Sequence, residues 1–211
     1  MAIPIKAVIF DYGKVLSAPQ RQASLIAMAS TLMLSISEFE PFYWRDRMEY
    51  DRAALDARSY WSKIAAYSHR QLSDAQIEEL RRHDVEGWSD ADPIMVRWAN
   101  RLRENSVPVA VLSNMPSDLR EYVNTKADWF PRFDHMTFSC DIHSCKPDAA
   151  IYQHCVSGLK SAPADILFLD DRLENVEGAK RLGLHSFVYT SPEEAREVIA
   201  EHYSLPVAIE C

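Results

Sequence analysis

The 211-residue chain has little glycine, little cysteine and no long apolar run. Its five glycines, without a Gly/Ser-rich tract, low-complexity segment or internal repeat, exclude a linker-rich or repeat architecture. The four cysteines, Cys140, Cys145, Cys155 and Cys211, share no C-x-x-C spacing and fall in the last third. Reduced thiols are therefore expected, and Cys140, His143 and Cys145 lack the fourth ligand of a zinc site. No stretch approaches the ~18 apolar residues of a membrane span, and the N-terminal MAIPIKAVIF lacks the basic, apolar and small-residue segments of a signal peptide. A cytoplasmic protein with no membrane partner is expected. Basic residues are also scarce: 23 Lys and Arg face 31 Asp and Glu for a net charge of −8, which repels a phosphate backbone, so no nucleic-acid partner is expected. What is present, 47% apolar and 26% charged residues, supports one sizeable core with a smaller accessory unit.

Three apolar runs end on polar residues. Ile5 to Phe10 ends in Asp11, Val107 to Leu112 in Ser113-Asn114, and Ile166 to Leu169 in Asp170-Asp171. Runs this short and this rich in β-branched residues read as buried parallel strands. Leu184 to Tyr189 reads as another, and Phe133 to Phe138 as a weaker candidate. Helical patterns alternate with them, at Pro93 to Glu104, Ser117 to Thr125, Asp148 to Leu159, Glu174 to Leu182 with Gly183 as its cap, and Pro192 to Tyr203. The fold class is thus α/β, a doubly wound Rossmann-like parallel sheet with helices on both faces. In such sheets the ligand crevice lies outside the carboxyl ends of the strands, so the three polar endings are expected to converge in one pocket. The alternation breaks between about residues 18 and 89, where Gln20 to Leu34, Ser37 to Tyr50, Ala57 to Ser68 and Ser73 to Glu86 all read as helices. Ser37 with Glu40 and Ser73 with Gln76 have capping-box spacing. A helical insertion (18–89) inside an α/β core (1–17 and 90–211) is expected.

An aspartate after a strand is by itself a common turn residue, and Lys-Pro-Asp can simply start a helix. In order along one chain, however, Asp11-Tyr12-Gly13-Lys14-Val15, Ser113-Asn114, Lys146-Pro147 and Asp170-Asp171 with Asn175 form a set that resembles the haloacid dehalogenase superfamily of hydrolases. The insertion falls where that superfamily places its helical cap. The resemblance implies Asp11 as nucleophile and Lys146 as the cation holding nucleophile and transferring group together. A strand-end carboxylate can attack phosphorus only if a cation offsets the like charges, and hard oxygen ligands suit Mg²⁺. The ligands expected are Asp11, the Gly13 carbonyl and Asp170, with Asp171 standing behind them and Asn175 orienting Lys146. Ser113 and Asn114, with Lys146, are expected to bind the substrate's phosphate oxygens.

In phosphatases of the superfamily the second residue after the nucleophile is usually an acid–base aspartate; here it is Gly13, as in similar sugar-phosphate phosphatases with a D-x-G-x-V pattern. The reading is Mg²⁺-dependent hydrolysis of a small phosphorylated metabolite, with a sugar phosphate as the implied substrate. Two alternatives stay open. A 2-haloacid dehalogenase would use the same aspartate without metal, and a weakly catalytic member would bind a phosphometabolite as a regulator. In the insertion, Tyr43, Trp44 and Arg47 are candidates for contacting the substrate. None of the seven histidines has H-E-x-x-H spacing, and none is assigned a catalytic role. Composition does not set the oligomeric state.

Overall fold

The computed structural model describes residues 2–126 and 130–211, without the side chains of Lys126 and Pro131. After the short β1 (Ile3–Pro4), the first core strand is β2 (Ala7–Phe10). It is followed by helices α1 (Gln22–Thr31), α2 (Ile36–Arg45), α3 (Arg47–Asp51), α4 (Ala57–Tyr67) and α5 (Asp74–Gly87). The α/β alternation then runs α6 (Pro93–Glu104), β3 (Val109–Ser113), α7 (Ser117–Lys126), β4 (His135–Phe138), α8 (Ser139–Ile142), α9 (Ala149–Leu159), β5 (Ile166–Asp170), α10 (Leu173–Arg181), β6 (His185–Val188), α11 (Pro192–His202) and β7 (Tyr203–Ser204).

Five strands form a parallel sheet in the order β4-β3-β2-β5-β6, as the sequence predicts. Side chains alternate between its faces. Val8, Phe10, Val109, Val111, Leu167 and Leu169 pack with Trp98, Leu102 and Ile199, whereas Ala7, Ile9, Ala110, Leu112, Ile166 and Phe168 pack with Ile151, Tyr152 and Cys155. Burial on both faces explains why these strands read as unbroken apolar runs. The chain winds from β2 outward through β3 and β4, then returns to pair β5 against the other side of β2. That reversal is a topological switch point, and crevices open at such points beyond the strand ends.

Helices α1–α5 build a separate apolar cluster from Leu25, Met28, Phe39, Tyr43, Tyr60, Trp61, Ile64 and Leu80. The two chain crossings that join these helices to the sheet lie side by side: Ser17 pairs antiparallel with Ala91, and Ala18 N–H donates to Asp90 O at 2.8 Å. The capping box falls at Ser35 and Glu38 rather than Ser37 and Glu40, because the chain leaves α1 through Met33 in the left-handed region (φ 54°) and enters α2 at Ser35. The box at Ser73 and Gln76 forms as expected. The expected Ser37 to Tyr50 helix is broken at Asp46, where α2 ends and α3 begins. Among the described residues no single helix is long and apolar enough to cross a membrane.

Candidate active site

At the end of β2, Asp11 still donates its backbone N–H to Leu169 O at 2.9 Å, so the strand ladder fixes its position. Its carboxylate accepts from the Tyr12 N–H at 2.7 Å, and the chain then turns through Gly13 and Lys14, the latter at φ 59°. Beside it, Asp170 ends β5 and is fully buried.

Lys146 reaches both from its own loop. Its ammonium donates to Asp11 Oδ1 at 2.7 Å, Asp170 Oδ2 at 2.6 Å and Leu112 O at 2.9 Å, which uses all three of its protons. Burial alone would weaken this charge, but the two carboxylates hold its pKa above the usual lysine range. Asn114 fixes the backbone beneath: its Oδ1 accepts from Lys146 N–H at 2.8 Å and its Nδ2 donates to Lys146 O at 3.0 Å. Asn114 therefore borders the cleft with one amide proton committed to the lysine loop and a second left to donate. Asn175 differs from expectation. Its Nδ2 donates to Asp170 at 2.9 and 3.1 Å, so it orients the aspartate and reaches Lys146 only through it.

The two adjacent acids differ in their surroundings. Asp170 Oδ1 accepts from Arg172 N–H and Asn175, and Oδ2 from Lys146 and Asn175, which fills its four lone-pair positions. Asp171 lines the cleft instead, with Oδ2 paired to Lys14 Nζ at 3.0 Å and Oδ1 without a protein partner. Asp11 Oδ2 has no protein partner either. One carboxylate oxygen from each of Asp11, Asp170 and Asp171 lies within 4.8 Å of the others. Three negative charges thus face two positive ones, Lys146 and Lys14. Burial pushes the Asp11 carboxyl up to about 7, against the pull of Lys146 and with added repulsion from Asp170 and Asp171. A hard, oxygen-seeking divalent cation fits this donor set and its residual negative charge.

The cleft above has a volume of about 660 Å³ and is bordered by Asp11, Gly13, Lys14, Ser113, Lys146 and Asp171 on the sheet side. Ser113 is buried at the end of β3, and its hydroxyl has no protein partner among the described residues. From the helical side, Trp44 and Arg47 border the cleft as the sequence predicts, but Tyr43 does not. Its ring is fully buried, and its hydroxyl donates to Asp84 while accepting from Arg47 at 2.6 Å and Gln20 at 3.0 Å. Asp51, a lining residue with no earlier signal, pairs with Arg47 Nε at 2.8 Å, and burial raises its carboxyl pKa. The cysteines are all unpaired, and Cys145 Sγ points to Met48 O rather than to a metal site with Cys140 and His143.

Fold and site together define an α/β protein whose aspartates and lysine meet at the switch point of the sheet. Residues 5–183 match the model of the haloacid dehalogenase-like hydrolases, and the chain belongs to that family of enzymes. The sesquiterpene phosphatase of Aspergillus oryzae is 24% identical over 189 residues, covering 87% of this chain and 89% of that protein. A drimenol cyclase of Aspergillus calidoustus is 26% identical over 207 residues, 96% of this chain but 37% of its own length. Acyl-CoA dehydrogenase family member 10 of Mus musculus is 31% identical over 107 residues, 49% of this chain and 10% of that protein. The chain therefore spans well under half the length of these last two relatives. Among solved structures, a family enzyme of Bacteroides thetaiotaomicron, also known in complex with magnesium and inorganic phosphate, superposes with TM-score 0.75 at 16% identity over 93% of this chain and 98% of that one. The L-2-haloacid dehalogenase of Xanthobacter autotrophicus gives 0.68 at 19% identity over 95% and 84%. Both share its fold.

Proposed function

We propose that this hydrolase cleaves phosphate monoesters of small metabolites in a Mg²⁺-dependent reaction through a phosphorylated Asp11, with α1–α5 (within 18–89) serving as a cap over the α/β core (1–17 and 90–211). The observation that carries the reading is the convergence of Asp11, Asp170 and Asp171 on Lys146 at one cleft. Halide displacement at carbon has no use for three carboxylates around its nucleophile; transfer of a dianionic phosphoryl group, with a cation to offset the charge, does. The likeness to the Aspergillus oryzae phosphatase, which runs nearly the full length of both chains, supports it.

Asp11 and Asp171 each keep an oxygen free of hydrogen bonds among the described residues, and with Asp170 beside them and the Gly13 carbonyl they are the residues that would hold Mg²⁺. When bound, the ion neutralises charge and polarises the phosphoryl group. The Asp11 oxygen not given to the ion attacks phosphorus and the bond to the alcohol oxygen breaks, its electron pair leaving with that oxygen. With glycine at position 13, the proton for the departing alkoxide comes from cleft water. The hydroxide so formed attacks phosphorus in the second half, breaks the Asp11–phosphate bond, and releases inorganic phosphate with the carboxylate restored. Lys146 holds Asp11 in line and offsets the charge that accumulates, while the Ser113 hydroxyl binds a phosphoryl oxygen.

Phosphate release from p-nitrophenyl phosphate tests this directly. Turnover is expected with Mg²⁺, and a loss of about 10³-fold or more with EDTA or in Asp11→Asn. Release that survives either change overturns the mechanism.

A further inference from the structure

We infer that the cleft is shaped for the phosphate ester of an apolar alcohol, an extended alkyl or isoprenoid chain, rather than of a sugar; the inference rests on the phosphatase reading of Asp11 and specifies its substrate class. Away from the sheet end, the apolar part of the wall comes from Leu25 of α1, Trp44 of α2, Met48 of α3, Trp88 after α5 and Leu119 of α7. Five helical segments thus contribute apolar surface to one space.

Trp44 is 48% exposed and Met48 44% exposed although both are large and apolar, and both border the cleft. Surface of this kind is left uncovered at a cost unless a ligand covers it. Trp44 is also held in place: its ring meets Tyr43 edge-on with centroids 4.8 Å apart, and Tyr43 is locked beneath by Asp84 and Arg47. A rigid apolar wall favours an apolar partner because little order is lost on binding.

A sugar needs free donors and acceptors at its hydroxyl groups. Several polar residues of the helical wall already have protein partners. Gln20 donates to Tyr43, and Arg47 is neutralised between Asp51 and Asp84. At the rim Arg172 pairs with Glu174. Glu40, the Trp44 indole N–H, Gln20 Oε1 and Asp51 Oδ2 have no hydrogen-bond partner among the described residues. Beside Gly13, where a side chain would reach toward the leaving group, an added Cβ would meet only the Trp88 ring, at 3.7 Å. The polarity of the cleft is therefore graded: free oxygens and a hydroxyl at the sheet end, and beyond them a wall where the hydrocarbon of Leu25, Trp44, Met48, Trp88 and Leu119 is interspersed with mostly paired polar groups. That is the pattern of a phosphate with an apolar tail, and a volume of about 660 Å³ leaves room for an extended chain.

The test measures kcat/KM of the Mg²⁺-loaded full chain on straight-chain alkyl phosphates from ethyl to octyl, below their micellar range, with glucose 6-phosphate alongside. All are esters of primary alcohols, so differences report binding rather than leaving-group chemistry. The expected rise is about threefold per methylene, so octyl phosphate exceeds both ethyl phosphate and glucose 6-phosphate by roughly 10²-fold or more. Trp44→Ala and Met48→Ala should each flatten that slope through KM, with melting temperatures showing that the variants fold. A flat series with glucose 6-phosphate preferred, while p-nitrophenyl phosphate hydrolysis still requires Asp11, overturns this inference and leaves the phosphatase reading standing. No phosphate release from any ester, p-nitrophenyl phosphate included, overturns both.

Discussion

In the proposed phosphatase reaction, position 13 sets how the leaving group departs. Gly13 has φ −64° and ψ 123°, a backbone any residue adopts, and the space beside it is bounded only by Trp88 at 3.7 Å. Gly13→Asp is therefore expected to fold and to place an acid next to the nucleophile. On alkyl phosphates, whose alkoxides leave poorly, kcat should rise about tenfold or more, toward the 10²–10⁴-fold worth of positioned acid–base help. On p-nitrophenyl phosphate it should change little, and an equal loss on both substrates would contradict the assignment. At this scale the sequence was informative about which residues matter and less so about their orientation. Asp11, Lys146, Ser113 and the Asp170-Asp171 pair all reach the cleft region. Which of two adjacent acids faces inward depends on strand pleat and on the partners Asn175 and Arg172, and spacing alone does not report either.

Between elements, the helical insertion hangs on a buried polar network. Arg47 of α3 binds Asp51 of its own helix, Asp84 of α5 and the hydroxyl of Tyr43 on α2. Burial would favour the neutral form of Arg47, but the two carboxylates hold it charged. Arg47→Met would strand two buried carboxylates, and breaking such a network from one side costs about 3–5 kcal/mol. Thermal denaturation should show a fall in Tm of roughly 5–15 °C; an unchanged Tm would mean the network contributes little. Arg47 was legible as a cleft residue, but its structural task was not, because Asp84 lies 37 positions away. Most helix limits followed from periodicity and caps, as at Pro93 and Ser73. The break at Asp46 and the four-residue α8 did not: neither interrupts the apolar pattern, and each is set by distant contacts, Asp46 with Tyr67 of α4 and the Ser139 hydroxyl with Asp51 O.

Over the whole molecule, the winding of the chain brings together residues from positions 11, 113, 146 and 170 that local sequence keeps apart. A parallel sheet with three strand endings at one crevice was legible from three apolar runs with polar endings, though not which strands pair; the β1–β7 pairing was not legible, since each strand is only two residues long. Concentrating three acids has a thermodynamic consequence. Because the folded Asp11 carboxyl is raised to about 7, metal-free protein gains stability from its proton at low pH and loses it as pH rises through that value. The proposed Mg²⁺ would compete with the same proton. Its stabilising effect should be small near pH ~5.5 and grow to about 2.7 kcal/mol, roughly 5–10 °C in Tm, near pH ~8 at a hundredfold excess over its Kd. Stabilisation independent of pH, or retained in full by Asp11→Asn, would count against a metal held by this carboxylate.

The central claim is that a phosphoryl group passes through the Asp11 side chain. Acid quenching during steady-state turnover, borohydride reduction and peptide mass spectrometry read this covalently, since an aspartyl phosphate is reduced to homoserine. The account predicts homoserine at position 11, dependent on substrate and Mg²⁺. Unmodified Asp11 in a protein that is turning over, or reduction at a different residue, would contradict it.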